Sequence, residues 1–187
     1  MRITHALAAI TIGVGLTVAA GCGNGDDDGG GGDQPQFNDA DVTFAQNMIL
    51  HHQQAVMMAI VAKDRAKDPA VVQLASKIEQ AQQPEIDTMH GWLKDWDNEM
   101  SHSMEGMGHD MPGLMSQHEM SRLTSASGRA FDQMFLTLMI EHHEGAIEMA
   151  QAEQADGENP GAIELADDIE AAQSREIDQM REMLDQQ

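Results

Sequence analysis

Apolar residues recur every three to four positions in two long stretches of the chain, and a segment rich in glycine, methionine and histidine separates these stretches. In the first stretch, five apolar residues fall on one arc of a helix: Phe44, Met48, Ala55, Ala59 and Ala62. Asn38 suits the N-cap of this helix, and Asp68-Pro69 supplies an N-cap and a first-turn proline for the next one. The pattern predicts four helices and no strands, with approximate bounds 39–66, 69–96, 128–155 and 160–184.

The two stretches are copies of one unit, because the second repeats the first at an ungapped offset of 91 residues. A single αα-hairpin cannot bury its apolar face, so the units, residues 38–96 and 128–186, are expected to pair. We therefore predict an all-α fold, namely an up-down-up-down four-helix bundle made of two duplicated αα-hairpins. In that order the first and third helices run parallel, and equivalent residues of these helices lie at one depth.

The N-terminus has the pattern of an exported lipoprotein. Arg2 precedes an apolar run that ends in Ala19-Ala20-Gly21-Cys22, so residues 1–21 are interpreted as a lipoprotein signal peptide and Cys22 as the lipidated residue. An uncleaved anchor is the alternative, although the run is short for a membrane span. Residues 22–36 combine glycine, aspartate and proline and are expected to form a flexible linker to the folded domain, residues 37–187. This organisation predicts anchoring to the lipid bilayer, facing outside the cytoplasm.

Composition narrows the possible partners. The formal net charge of −22 argues against nucleic acid and anionic membrane surfaces, because both are bound by clustered lysine and arginine. Cys22 is the only cysteine, which excludes an internal disulfide and a thiolate metal cluster. The chain holds 16 methionines, beyond what packing of an aromatic-poor core explains. Any soft metal ligand is therefore methionine.

The candidate metal site in the bundle consists of paired histidines with methionines on the same helix faces. Neighbouring helical residues differ by about 100°, so His51 and His52 flank the apolar arc and both can lean inward. Imidazole and thioether together suit copper, and silver is a possible soft alternative. The candidate ligands are His51, His52, His142, His143, Met48, Met58, Met139 and Met149, with Glu85 and Glu176 as outer partners or direct ligands. Alternatively, the histidines are structural and donate hydrogen bonds to Gln82 and Glu85, or to Gln173 and Glu176.

The segment between the repeats, residues 97–120, is a second candidate for metal capture. Glycine and proline argue against one continuous helix, so we interpret it as a mobile loop with exposed methionines. Its candidate ligands are Met100, His102, Met104, Met107, His109, Met111, Met115, His118 and Met120. Flexible arrays of methionine and histidine bind Cu(I) or Ag(I) with few geometric demands. A disordered linker that buffers oxidation is the alternative.

Two motifs carry a family resemblance. The segments Met139-Ile140-Glu141-His142-His143 and Met48-Ile49-Leu50-His51-His52, with Gln82–Met89 of the second helix, closely resemble domain-of-unknown-function family 305 over about residues 38–186. The resemblance implies a ferritin-like four-helix bundle, export to the cell envelope and, in some members, copper binding linked to copper tolerance. Arg175 stands at the place of Pro84, and Met183 at the place of Trp92, so the two halves need not be equivalent sites.

These observations favour a copper-binding envelope lipoprotein that sequesters the metal, confers tolerance or delivers it to an unidentified metal-handling protein. A structural or interaction lipoprotein without metal is the alternative. A ferritin-like metal oxidase is disfavoured, because paired helical Glu-x-x-His motifs are absent and Glu99 to His102 lies in the loop. We therefore predict a protein that is not an enzyme.

Overall fold

The computed structural model describes residues 36–98 and 111–186, and within these ranges it contains helices and no strands. The helices are α1 (Asp39–Arg65), α2 (Pro69–Asp95), α3 (Gln117–Ser125), α4 (Gly128–Asp156) and α5 (Pro160–Asp185). The all-α, ferritin-like four-helix bundle of two αα-hairpins is confirmed, with α1 and α2 as one hairpin and α4 and α5 as the other. Among the described helices, none is long and apolar enough to cross a membrane. The predicted signal peptide, Cys22 and nearly all of the predicted linker lie outside the described residues.

Local sequence signals account for where the hairpin helices begin. The side chain of Asn38 accepts from the backbone N–H groups at the start of α1, and the side chain of Asp41 accepts from the backbone N–H of Asn38. The second helix of each hairpin starts with a proline that follows a capping Asp68 or Asn159. The first N–H groups of a helix have no partner within the helix, so a proline at this position removes no hydrogen bond. Both turns can therefore end one helix and start the next.

Helix α3 was not predicted, since its residues fell in or beside the segment interpreted as a loop. Ser116 and Glu119 form a capping box at its start, with reciprocal hydrogen bonds between side chain and backbone. Leu123 is buried in the core and holds the short helix against the bundle. The mobile-loop interpretation of residues 97–120 is therefore wrong for residues 117–120, because an N-cap signal and one buried leucine suffice to form a helix there.

The direction of α4 also differs from the prediction. Asp41, near the start of α1, accepts hydrogen bonds from the backbone N–H of Glu158 and Asn159, which follow the end of α4. Asp132, near the start of α4, accepts from Lys67 and Asp68, which follow the end of α1. The first helices of the two hairpins are thus antiparallel, and the order is up-down-down-up. The predicted parallel arrangement of α1 and α4 is wrong.

These hydrogen bonds have the reciprocal form of a two-fold interface. Asp41 and Asp132 are equivalent at the repeat offset of 91, as are Asp68 and Asn159. In such an interface residue i of one half contacts residue j of the other, and j contacts i in return. A two-fold axis across two equivalent helices makes them antiparallel. The long connection between the hairpins, residues 96–127, is compatible with this arrangement.

The core consists of two hydrophobic clusters on opposite sides of a polar layer. The first core cluster joins the end of α1 and the start of α2 to the start of α4 and the end of α5. The second core cluster joins the other four half-helices. Between the clusters, the four helices of the two hairpins contribute polar residues that we call the histidine layer: His51, His52, Gln82, Glu85, His142, His143, Gln173 and Glu176.

Candidate metal centre

The four repeat histidines all lie inside the bundle. Their side chains are fully buried, as expected if both members of each pair lean inward from the flanks of the apolar arc. His51 and His142 come from the middle of antiparallel helices and meet at the point where α1 faces α4. Their ring centroids lie 3.7 Å apart, and the ring planes are inclined by 37°. His51 and His142 therefore meet at one depth, although the helices that carry them do not run parallel.

Two of the histidines are held by carboxylates of the second helix in their own hairpin. The Nε2 atom of His52 lies 2.6 Å from an oxygen of Glu85, and Nε2 of His143 lies 2.7 Å from an oxygen of Glu176. A carboxylate oxygen accepts, so Nε2 is the donor in each bond. The two glutamates act as outer partners of the histidines.

The third outer partner comes from the connection between the hairpins. Nε2 of His51 lies 3.0 Å from the carbonyl oxygen of Pro112 and donates to it, because a carbonyl can only accept. Among the described residues, neither ring nitrogen of His142, at the equivalent position of the second repeat, makes a hydrogen bond of normal geometry, although the backbone of His51 is near enough to offset part of the lowering of its pKa. The two halves of the layer thus differ.

The remaining ring nitrogens of the four histidines are buried and make no hydrogen bonds within the described part of the chain. Nδ1 of His51, His52, His142 and His143 is buried, and none of these atoms has a hydrogen-bond partner in the described part of the chain. In a neutral imidazole whose Nε2 carries the proton, Nδ1 presents a lone pair. Buried polar atoms are normally paired, so several unpaired nitrogens in one layer make it a candidate ligand-binding site.

Electrostatics keep the central pair neutral. Burial lowers the pKa of His51 from 6.5 to about 3, and the hydrogen bond to Pro112 offsets this only in part. Burial also lowers the pKa of His142 well below 6.5, and the neighbouring His51, His143 and His52 lower it further. Neutral imidazole is the form that binds metal ions, so neither ring needs to lose a proton before binding.

The contacts of the histidine layer are compatible with both interpretations from the sequence, metal ligation and structural hydrogen bonding. The expected hydrogen bonds to Glu85 and Glu176 are present, whereas both polar atoms of the Gln82 side chain and the oxygen of Gln173 are buried without a partner. No three His, Cys, Asp or Glu side chains of the described residues lie close enough together to hold a metal ion as a group. The side chains of His51 and His142 contact each other as a pair, with their ring centroids 3.7 Å apart.

The methionines of the predicted site lie on both sides of the histidine layer. Met48 is buried in the second core cluster, and Met149 packs against that cluster half-buried. Met58 and Met139 are buried in the first core cluster. Because α1 and α4 are antiparallel, each cluster combines methionines that occupy different positions of the repeat. Their role as ligands stays a prediction.

Residues 111–116, which we call the strap, belong to the methionine-rich segment between the repeats and pack onto the histidine layer. The side-chain amide of Gln54 accepts from the N–H of Met115 at 2.7 Å and donates to the carbonyl of Met115 at 2.9 Å. Gly113 adopts a positive φ of 71°, and a Cβ built on Gly145 would overlap the carbonyl of Pro112. Sequence reasoning missed these contacts, since a backbone carbonyl leaves no motif.

The predicted capture segment is only partly described. Met100, His102, Met104, Met107 and His109 lie outside the described residues. His118 is exposed on α3, Met111 is half-buried in the strap, and Met120 is half-buried against the first core cluster. Met115 is buried in that cluster with 7% of its surface exposed. The expectation that all these methionines are exposed is therefore wrong for Met115, which packs as a core residue.

Known proteins share both the sequence pattern and the fold. A secreted-protein candidate of the same family from Streptomyces coelicolor is 35% identical, with a TM-score of 0.72 over 79% of this chain and 93% of that one. A family fragment from Deinococcus radiodurans is 28% identical, with a TM-score of 0.74 over 82% and 100% of the chains. The Cu(I)-bound form of CopM is 32% identical, with a TM-score of 0.68 over 78% and 96%.

CopM has also been crystallised in a Cu(II)-bound form, which is 33% identical to this chain, with a TM-score of 0.66 over 78% of this chain and 96% of that one. No curated protein matches the sequence. Residues 41–184 match the family described as "Domain of unknown function (DUF305)". The chain therefore belongs to the DUF305 family.

Proposed function

We propose that this protein binds copper in its histidine layer. It sequesters the metal, confers tolerance to it or delivers it, and it catalyses no reaction. The single observation that carries the proposal is the set of four buried Nδ1 atoms, on His51, His52, His142 and His143, that have no hydrogen-bond partner among the described residues. In metal sites a ligating histidine usually donates its other ring N–H to a carboxylate or backbone carbonyl. Three of these four histidines have such an outer partner.

The ligand chemistry favours a soft monovalent or borderline divalent ion. Neutral imidazoles with thioethers on both sides select copper over magnesium or calcium, which need oxygen ligands. Solved structures of CopM, which shares the fold at 32–33% identity, include Cu(I)-bound and Cu(II)-bound forms. A silver-bound form of CopM, 32% identical, supports silver as an alternative ion. These likenesses support copper as the cargo of this chain.

The proposal extends to the N-terminus and to the segment between the hairpins. Cys22 would be acylated and hold the exported domain at the bilayer, with a flexible linker between them. The methionines and histidines of residues 99–111, together with the exposed His118, would capture Cu(I) with lower affinity than the layer. Met115 is left out of this set, because its side chain is buried in the core.

A Cu(I) titration against a competing chelator, under reducing conditions, tests the site. Replacing the four layer histidines with alanine is expected to abolish the tightest binding while the segment retains a weaker capacity. The exposed His90 of α2 provides the control, since His90→Ala leaves both the layer and the capture segment intact. Affinity and stoichiometry that are unchanged in the four-histidine variant would contradict a site in the bundle.

A second candidate is a structural lipoprotein in which the histidines only make hydrogen bonds. The bonds from His52 to Glu85 and from His143 to Glu176 favour it, because they already satisfy one nitrogen of each ring. This role predicts that the protein melts at the same temperature with and without Cu(I). A ligand that binds only the folded state must raise the melting temperature, so thermal unfolding discriminates the two functions.

A further inference from the structure

The strap crosses the bundle where the two central histidines meet. It contacts α1 through the bond from His51 to Pro112 and through the paired bonds between Gln54 and Met115. It contacts α4 at Gly145, where the backbone of Pro112 and Gly113 approaches closely. The buried side chain of Met115 anchors its far end in the first core cluster. Several independent contacts thus fix the carbonyl of Pro112 over the ring of His51.

The two repeats differ at the position where the strap crosses. Gln54 and Gly145 are equivalent at the offset of 91 residues, yet one supplies an amide and the other supplies space. The amide of Gln54 pairs with the backbone of Met115 as a neighbouring strand would. Any side chain at position 145 would collide with the carbonyl of Pro112. Only one strap crosses the two-fold interface, so it cannot make the same contacts with both repeats. The first repeat therefore carries Gln54, which bonds to the strap, and the second carries Gly145, which leaves room for it.

The asymmetry reaches the metal-binding atoms. The hydrogen bond from Nε2 of His51 to Pro112 keeps the proton on Nε2 and fixes the orientation of the ring. Nδ1 of His51 then carries the lone pair that can bind a metal ion. Within residues 36–98 and 111–186, no carbonyl or carboxylate forms such a hydrogen bond with Nε2 of His142, so nothing in this part of the chain fixes the position of its proton as Pro112 does for His51. The carboxylates that hold His52 and His143 are the same in both halves, so the strap is what distinguishes His51 from His142.

We propose that the strap prepares His51 as a metal ligand, and that Gln54 and Gly145 are the positioning residues that hold the strap in place. The inference rests on the proposed function and adds to it: the ligand geometry at His51 is set by a backbone carbonyl outside the hairpins. Positioning of this kind acts through His51, and neither Gln54 nor Gly145 contacts the ion.

Two variants release the strap by different means. Gln54→Ala removes both hydrogen bonds to Met115, and Gly145→Ala places a methyl group against Pro112. The controls are Gln53→Ala, at the exposed neighbour of Gln54, and Gly91→Ala, whose Cβ meets nothing within 4 Å. In the full-length chain each release variant is expected to lower Cu(I) affinity by about 10- to 100-fold, the usual effect of losing an outer partner, with helicity unchanged.

The second readout needs no metal. Nitrogen-15 spectra of the histidine rings in the metal-free protein are expected to show one tautomer at His51, protonated on Nε2, and a mixture in both release variants. Loss of the single tautomer without loss of Cu(I) affinity would overturn the inference, and so would a tautomer unchanged in both variants. Absence of tight Cu(I) binding in the unaltered protein is a different result, because it defeats the proposed function itself.

Discussion

His51 and His142 occupy the same position in the two repeats and contact each other, with their ring centroids 3.7 Å apart. In a two-fold interface only residues near the axis meet their own counterparts. The reciprocal bonds of Asp41 and Asp132 lie toward the two ends of the same helix pair. The histidine pair therefore marks the centre of the contact between the hairpins, and an ion held by both rings would join the two halves of the chain.

Acid is expected to destabilise the metal-free bundle. Burial lowers the pKa of His51 to about 3 and the pKa of His142 well below 6.5, whereas both rings titrate near 6.5 in the unfolded chain. Between these values the unfolded state binds more protons, so the free energy of unfolding is full above about pH 6.5 and falls as the pH is lowered. The slope is up to about 1.4 kcal/mol per pH unit for each histidine.

Urea denaturation of the metal-free protein across this pH range measures the slope. His142→Gln is expected to reduce it, because the variant has one buried base fewer. His118→Ala serves as the control, since that side chain is exposed on α3. A free energy of unfolding that stays constant from about pH 6.5 to 4 would show that the central rings are not held neutral by burial.

A buried carboxyl pair gives the opposite pH dependence at one end of the bundle. Burial, the hydrogen bond with Asp41 and the charge of Asp41 raise the pKa of Glu153 to about 8. Burial also raises the pKa of Asp41, but hydrogen bonds from Glu153 and three backbone N–H groups outweigh it and lower the net value. Two ionised carboxylates would leave the oxygens of Glu153 without a partner. One proton therefore stays on Glu153, which donates to Asp41.

Replacing Glu153 with glutamine is expected to flatten this dependence. The folded state binds the extra proton between about pH 4.5 and 8, so the contribution of Glu153 to stability is full below about 4.5 and is lost as the pH rises through 8. A glutamine amide donates to Asp41 at every pH. The histidine contribution is common to both proteins, so the free energy of unfolding of Glu153→Gln relative to the unaltered protein should rise by up to about 1.4 kcal/mol per pH unit between about pH 4.5 and 8. The same difference for the exposed Glu164→Gln should stay constant over this range.

The sequence predicted the hairpins closely, because the signals that set them are local. The first helix was expected over about residues 39–66 and spans Asp39–Arg65, bounded by the cap at Asn38 and by the turn before Pro69. The direction of the second hairpin could not be predicted in this way. Two identical apolar faces pack in either direction, and the choice rests on the contacts of Asp41 and Asp132 across the interface.

The candidate site was predicted in part for a similar reason. Periodicity placed His51 and His142 beside the apolar face. Their common depth was expected from parallel helices, which is the wrong reason, because the two rings meet at the crossing point of an antiparallel pair. The strap depends on a backbone carbonyl and on one glycine, neither of which has a periodic signature. One signal was available, since Gln54 and Gly145 are among the positions that differ directly after the repeated Met-Ile-x-His-His motif, and only this mismatch replaces a side chain by glycine. A mismatch between repeats beside a candidate ligand can mark the place where a third segment packs.

The two carboxylates that accept hydrogen bonds from the turn of the opposite hairpin are expected to contribute to the free energy of unfolding. Asp132 is buried and accepts from the N–H groups of Lys67 and Asp68 at 2.9 and 3.1 Å. Asp132→Ala leaves both donors without this acceptor, so the free energy of unfolding should fall by about 1–3 kcal/mol. Chemical denaturation measures the change. Asp167→Asn, at an exposed position of α5, should have an effect within about 0.5 kcal/mol, and an equal effect of both changes would contradict the role of Asp132.

Whether Met115 packs in the core or binds copper can be tested by substitution, with the exposed Met57 as the control for stability. Met115 is buried in the first core cluster, whereas 52% of the Met57 surface is exposed on α1. Met115→Ala should lower the free energy of unfolding by about 2–4 kcal/mol, and Met57→Ala by less than about 0.5 kcal/mol. Met115→Leu, which keeps the volume and removes the sulfur, should retain both the stability and the number of Cu(I) ions bound. A lower Cu(I) stoichiometry in the leucine variant, with stability retained, would show that the Met115 sulfur is a ligand after all.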